Sequence, residues 1–347
     1  MTKVYVGMSG GVDSSLTAAL LVEQGYDVTG VYMKNWTQDL PGMRCPWADD
    51  LADAKRVAVQ LGIDFKVFDF ENEYRHKVVD YMIEEYKLGR TPNPDVMCNQ
   101  EVKFKLFLET ALEDGADMIA TGHYARVEGG ILKRAVDDNK DQTYFLYRVT
   151  GEALQKTLFP LGGYTKPEVR EMAKERGLFT AAKKDSQGIC FVGKIGIREF
   201  LSQYVEQKPG AIIDKKTGKK LGMHDGAIFY TLGQRHGLEL GGGLPYYVVA
   251  KNMDKNEVYV TTDLSDETLW KKEITLANIH WINDKPMDGE YEIRVRHRAP
   301  LIKARLVSGL DSAAILSLVD PERAVTAGQS VVIYDGPICL GGGIVSF

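Results

Sequence analysis

The chain has 347 residues, and its 43 Lys+Arg against 48 Asp+Glu give a formal net charge of −5 with 44% hydrophobic residues. That length suits two or three folded domains, and the composition excludes disordered, collagen-like and coiled-coil chains. No apolar run reaches the ~20 residues a membrane helix needs, and the start, Met1-Thr2-Lys3-Val4-Tyr5-Val6, reads as a strand with no signal-peptide character, so a cytoplasmic protein without membrane attachment is expected.

Strands are expected at Lys3–Met8, Asp27–Met33, Asp64–Phe70 and Asp117–Thr121. They alternate with helices at Asp13–Gln24, Trp47–Leu61, Glu71–Leu88 and Gln100–Glu113, and Gly25, Gly62 and Gly115 act as stops. Such alternation is the pattern of βαβ units on a parallel sheet, hence an α/β first domain. Beyond about residue 200 the helices nearly vanish and Gly/Pro/Asp turns separate strands. Thr275–His280, Glu290–His297, Ile302–Ser308, Ala313–Leu318, Ser330–Tyr334 and Ile338–Val345 suit a small closed β-barrel. The expected division is 1–200 for the α/β domain, 201–265 for a small β-rich central domain and 266–347 for the barrel.

Between the first strand and first helix lies Ser9-Gly10-Gly11-Val12-Asp13-Ser14-Ser15. Glycines let a backbone approach phosphate closely, and free N–H groups at a helix start favour an anion. The alternative is a tight turn in which Asp13 or Ser14 only caps the helix. Position favours the anion site, because ligands of open α/β sheets bind beyond the carboxyl ends of strands. The loop lacks the lysine of a Walker A motif, which disfavours kinase-type or GTPase-type transfer. S-G-G-x-D-S resembles the pyrophosphate loop of ATP pyrophosphatases, which cleave ATP to AMP and pyrophosphate while adenylating a substrate oxygen.

Four cysteines without a C-x-x-C pair suit neither a disulfide scaffold nor a structural zinc site. Two of them have suggestive settings. Cys98 follows Thr91-Pro92-Asn93-Pro94-Asp95-Val96-Met97, a proline-stiffened loop read as ending just before a helix, where the helix dipole would stabilise a thiolate. Asp95 on that turn is either an acid/base group or the acceptor of an Asx-turn bond. Cys190 lies in Lys183-Lys184-Asp185-Ser186-Gln187-Gly188-Ile189-Cys190-Phe191, with two lysines and a glycine nearby. Cys45 and Cys339 have no comparable surroundings, and any of the four could be a small buried hydrophobe.

Together these segments resemble the tRNA-specific 2-thiouridylase family, which replaces the 2-oxo oxygen of the wobble uridine by sulfur. The resemblance runs through Gly7–Ser15, Met33-Lys34-Asn35-Trp36, Thr91–Phe104, Thr121-Gly122-His123-Tyr124-Ala125, Asp141–Leu146, Asp185–Phe191 and Tyr230–Arg235. It implies an ATP-pyrophosphatase-type first domain. ATP contacts would come from Gly7, Met8, Ser9, Gly10, Gly11, Val12, Asp13, Ser14, Met33 and Gly122, with Mg²⁺ accompanying the nucleotide. It further implies Cys98 as nucleophile or resolving thiol, Cys190 as persulfide carrier, a transient disulfide between them, and Asp95 as acid/base. The tRNA contacts would be Asn93, Pro94, Asp95, His123, Lys140, Asp141, Gln142, Arg296, His297 and Gln329. Substrates would be the anticodon arms of lysine, glutamate and glutamine tRNAs, and a relay protein or cysteine desulfurase would donate sulfur.

The acidic average argues against strong non-specific nucleic-acid binding, yet residues 294–305 carry five Arg/Lys and no acid. Strand alternation would put Arg294, Arg296 and Arg298 on one face, either a phosphate-tracking stripe or a solvated barrel edge. From the residues alone two rival functions stay open. One is an ATP pyrophosphatase acting on a small carboxylate or carbonyl compound; the other is a non-catalytic RNA-binding protein.

Overall fold

The structure, a computed structural model, describes residues 1–40, 45–184, 196–241, 243–309 and 313–346. Strands β1 (Lys3–Gly7), β2 (Asp27–Lys34), β3 (Asp64–Asp69) and β4 (Met118–Ala120) form a parallel sheet in the order β3-β2-β1-β4, extended past β4 by the short strand Thr157–Leu158. β1 is central and covered on both sides. Val4 and Val6 pack with Ala18 and Leu21 of α1 (Val12–Glu23) and Ala54 and Val57 of α2 (Trp47–Leu61), while Tyr5 points into the opposite core with Phe107 and Ile119. Gly62 ends α2 in the left-handed conformation at φ +67°, as expected of a glycine stop. The next long helix runs from Glu71–Tyr74 through a π-helical stretch, Arg75–Asp80, to Tyr81–Lys87.

The helix expected from Gln100 begins six residues earlier. Asn93 caps it, its side chain accepting from Val96 N at 3.3 Å, and Pro94 takes the first helical position, where a missing N–H costs nothing. The helix continues as Pro94–Met97, π-helical Cys98–Leu106 and Phe107–Glu113. Cys98 therefore sits inside a helix, not on a loop before one.

Gly210–Asp214, Lys220–His224, Tyr247–Asn252 and Glu257–Thr261 make a separate four-stranded sheet. The C-terminal strands Trp270–Trp281, Gly289–Arg294, Ile302–Ser308, Ala314–Arg323, Ser330–Asp335 and Ile338–Ser346 close into a barrel, the last pairing antiparallel with the first at Thr275↔Ser346. Alternate residues fill it, among them Ile274, Leu306, Leu316 and Ile333. Two strands not expected from the sequence, Arg126–Glu128 and Ile131–Lys133, form a hairpin that joins the barrel at Lys133↔Ile338 and so ties the two outer parts of the chain together. No helix among the described residues is long and apolar enough to cross a membrane.

The expected arginine stripe does not form, because the strand ends at Arg294 and the chain turns. Arg294 is buried and ion-paired with Asp141 at 2.9 Å. Arg298 adopts φ +63° and donates to Asn139 O at 3.1 Å. Arg296 donates to the carbonyls of Arg323 and Ala324 at 2.7 and 2.6 Å.

Candidate active site

The sheet order reverses between β1 and β4, so the loops leaving these strands bound a crevice at their carboxyl ends. Ser9–Gly11 follows β1, and Gly122 follows β4. Gly11 stands at the N-cap of α1 with no side chain to cap it, leaving the first N–H groups of the helix for an anion. Gly10 has φ +73°, and a Cβ there would collide with the Asp50 carbonyl. A Cβ on Gly122 would lie 2.9 Å from Asp13 C and Ser14 N, so only glycine lets the two loops meet. Ser14 Oγ accepts from Ser9 N at 3.1 Å and donates to Gly11 O at 3.2 Å, shaping the turn from within. Val12 and Met8 are buried beneath it, and Met33 packs against Gly7, where a Cβ would come within 2.9 Å of its terminal methyl.

Asp13 does not cap the helix. Its carboxylate accepts from Lys166 Nζ at 2.6 Å and from the Tyr124 hydroxyl at 2.9 Å, which neutralises the one acid in the cradle. A second lysine, Lys183, donates to Gly10 O at 3.1 Å and to Asp50 and Asp53 at 2.8 and 2.7 Å, bracing the loop against α2. Sequence spacing gave no sign of either contact. Among the described residues, no group of three or more His, Cys, Asp or Glu side chains is placed to hold a metal ion.

Cys98 is buried within hydrogen-bonding reach of the Tyr74 hydroxyl. Burial pushes its thiol above the ordinary value, opposite to the shift expected from a helix start; the Lys103 charge works the other way and Asp95 adds to the rise. Burial likewise raises the Asp95 carboxyl, again opposed by Lys103. Asn93, not Asp95, makes the turn's side-chain bond, so the Asx-turn alternative for Asp95 falls away. Cys190 lies outside the described residues. Cys45 and Cys339 are buried, and burial raises both thiols.

Asn93 also lines a cavity of about 190 Å³ between the helix start and the barrel, with Pro92, Tyr144, Arg296, His297 and Gln329. Residues expected from three distant segments thus meet here. His297 stacks on Phe145 with ring centroids 4.5 Å apart. Its Nδ1 is buried without a hydrogen bond, and burial with nearby Arg298 and Arg294 pushes its pKa down to about 4. Tyr144 donates to Ser330 O at 2.9 Å, fixing the cavity wall. Tyr144 and Phe145 were missed as site residues, although they follow the Asp141-Gln142-Thr143 segment directly.

Other expected RNA contacts are placed differently. Asp141 is fully buried, bonded to Arg294, Ala135 N and Thr143, so its carboxylate organises the barrel junction. The Gln142 side chain accepts from Tyr124 N at 2.9 Å. His123 is buried between Phe104 and Phe159, bonded to Thr121 at 2.7 Å, and burial pushes it well below the ordinary histidine value. Pro94 is buried at the helix start, while Lys140 remains partly exposed.

A parallel sheet with a glycine-rich anion loop at its switch point and no Walker lysine defines a nucleotide-binding protein of the ATP-pyrophosphatase type. Residues 2–194 match the model of the tRNA methyl transferase HUP domain, 198–262 that of the tRNA methyl transferase PRC-barrel domain and 271–345 that of the aminomethyltransferase beta-barrel domain. The tRNA-specific 2-thiouridylase MnmA of Bacillus cytotoxicus is 49% identical over 99% of this chain and 94% of its own length; that of Bacillus cereus is 48% identical over the same shares. The chain belongs to the tRNA-specific 2-thiouridylase family. Among solved structures, a 4-thiouridine synthetase–RNA complex with bound ATP is 19% identical, covers 58% of this chain and 50% of its own, and gives a TM-score of 0.39.

Proposed function

We propose that this protein is an ATP-dependent tRNA uridine 2-sulfurtransferase that converts the wobble uridine of lysine, glutamate and glutamine tRNAs to 2-thiouridine, releasing AMP and pyrophosphate. Family membership supports the reaction. The observation that carries the assignment of roles is that Asn93, which lines the cavity, and Cys98, the buried thiol, lie five residues apart on a single proline-set helix start.

ATP lies in the crevice with its phosphates on Ser9–Ser14, its adenine toward Met33, and Gly122 opposite. Mg²⁺ would arrive with the nucleotide, held chiefly by phosphate oxygens, and would screen charge on the departing pyrophosphate. The target base leaves the anticodon stack, which is less costly for a loop base than for a duplex base, and enters the cavity beside Asn93 and His297. Its O2 attacks the α-phosphorus and expels pyrophosphate, and the resulting adenylate makes O2 a leaving group. Cys190, loaded by the donor protein, carries the sulfane sulfur as a persulfide. The Cys98 thiolate attacks the Cys190 Sγ, forming the Cys98–Cys190 disulfide, and the terminal sulfur, as hydrosulfide or already bonded to C2, replaces AMP. Asp95 takes up and returns the protons, and a dithiol reductant resets the pair. Residues 1–200 carry this chemistry, and 201–265 and 266–347 support the RNA.

Separate Cys98→Ser and Cys190→Ser substitutions test the assignment. Each is expected to abolish 2-thiouridine formation while ATP-dependent AMP release on tRNA persists. Wild-type thiolation by either variant would refute the two-thiol scheme.

A further inference from the structure

Cys98 and Asp95 sit three residues apart on one helix, Cys98 buried and Asp95 half-buried, and a site largely withdrawn from water tolerates uncompensated negative charge poorly. The π-helical stretch Cys98–Leu106 changes what stands beside them. Its wider turn brings a residue and the fifth after it together, and the fifth residue after Cys98 is Lys103. Neighbouring cations are already engaged: Lys77 and Lys105 bind Glu101, and Arg75 binds Asp80 and Tyr204. Lys103 is half-buried and makes no hydrogen bond or ion pair with any described residue. Its charge nonetheless acts on Asp95, Cys98 and His123 alike.

We propose that Lys103 is a positioning residue for sulfur transfer: it compensates one negative charge in this pocket, which Asp95 and Cys98 share. The inference rests on the reading of Cys98 as the reactive thiol. One lysine matches one anion, so the resting state holds either the Asp95 carboxylate with a Cys98 thiol or the Cys98 thiolate with a protonated Asp95. Activation of Cys98 is then transfer of its S–H proton to an Asp95 oxygen, with the electron pair staying on sulfur and the net charge of the pocket unchanged. The two groups titrate as a coupled pair. The other groups acting on Cys98 are Tyr74, whose hydroxyl bonds the sulfur, and Asp95 itself. His123, buried and held uncharged, adds no second cation.

The test is the ultraviolet thiolate absorbance of the full chain minus that of its Cys98→Ser counterpart, followed across pH, which needs no reagent to reach a buried sulfur. K103M is expected to reduce the Cys98 thiolate population about tenfold at fixed pH, an upward shift of about one pH unit. K103Q serves as a second neutral variant if K103M does not fold. K103R should restore the wild-type curve, and D95N, by removing the competing anion, should raise the thiolate fraction. An unchanged curve in the neutral variants, or no recovery in K103R, overturns the role of Lys103 while leaving Cys98 as the reactive thiol. Wild-type thiolation by Cys98→Ser would instead remove the premise, whatever the titration shows.

Discussion

Asp13 places a carboxylate where the fold prepares a site for phosphate, and Lys166 resolves the conflict. The Lys166–Asp13 contact is largely shielded, with side-chain exposures of 10% and 31%. Lys166→Met should therefore raise the KM for ATP about tenfold, ~1.4 kcal/mol, with tRNA affinity unchanged. The double variant with Asp13→Asn should recover part of the loss, as steady-state kinetics on both would reveal. A second residue-scale consequence concerns pH. Burial lowers the pKa of His123, His224, His280 and His297 below the unfolded value, and His297 falls to about 4. Since the folded protein resists protonation of these histidines, their contribution to stability is complete above about pH 6.5 and declines as pH falls toward 4. Thermal midpoints measured across that window should decline less steeply for His297→Asn than for the wild type.

Among the elements, the loop after β1 and the loop after β4 behave as one unit because glycine lets their backbones touch. Gly122→Ala would drive a methyl group against the backbone of Asp13 and Ser14, so ATP-dependent AMP release should fall at least about tenfold while tRNA binding persists. Much of this was legible beforehand: the loop, the strands around it and the glycine stops follow from local residue chemistry. The early helix start at Pro94 was legible in principle, since Asn-Pro is a cap followed by a first-turn proline, but two prolines in four residues read more readily as a loop. The failed arginine stripe has a different cause. Strand alternation cannot foresee that Arg294 is drawn inward by Asp141, a partner 153 residues away.

For the molecule as a whole, that same pair joins the nucleotide-binding part to the barrel, together with the hairpin pairing at Lys133↔Ile338 and the Tyr144 bonds to Ser330 and Val295. Arg294→Ala leaves the buried Asp141 with only the more distant Arg134, at 3.8 Å, and should destabilise the protein by about 3 kcal/mol, measurable by denaturant unfolding. The shared cavity depends on this junction, because one wall comes from the helix start at Asn93 and the other from Arg296, His297 and Gln329. Such long-range convergence left no trace in spacing or composition, which is why resemblance to a family suggested Asn93, His297 and Gln329 while charge and periodicity singled out, of these residues, Arg296 alone. The central claim is that this assembly couples ATP cleavage to sulfur transfer onto the wobble uridine through Cys98. Mass spectrometry of that nucleoside, after incubating unmodified lysine tRNA with the protein, ATP and a persulfide-loaded donor, tests it most directly. The account predicts 2-thiouridine in step with AMP release for the wild type and none for Cys98→Ser; AMP release that proceeds with a small metabolite and leaves the uridine unmodified would contradict it.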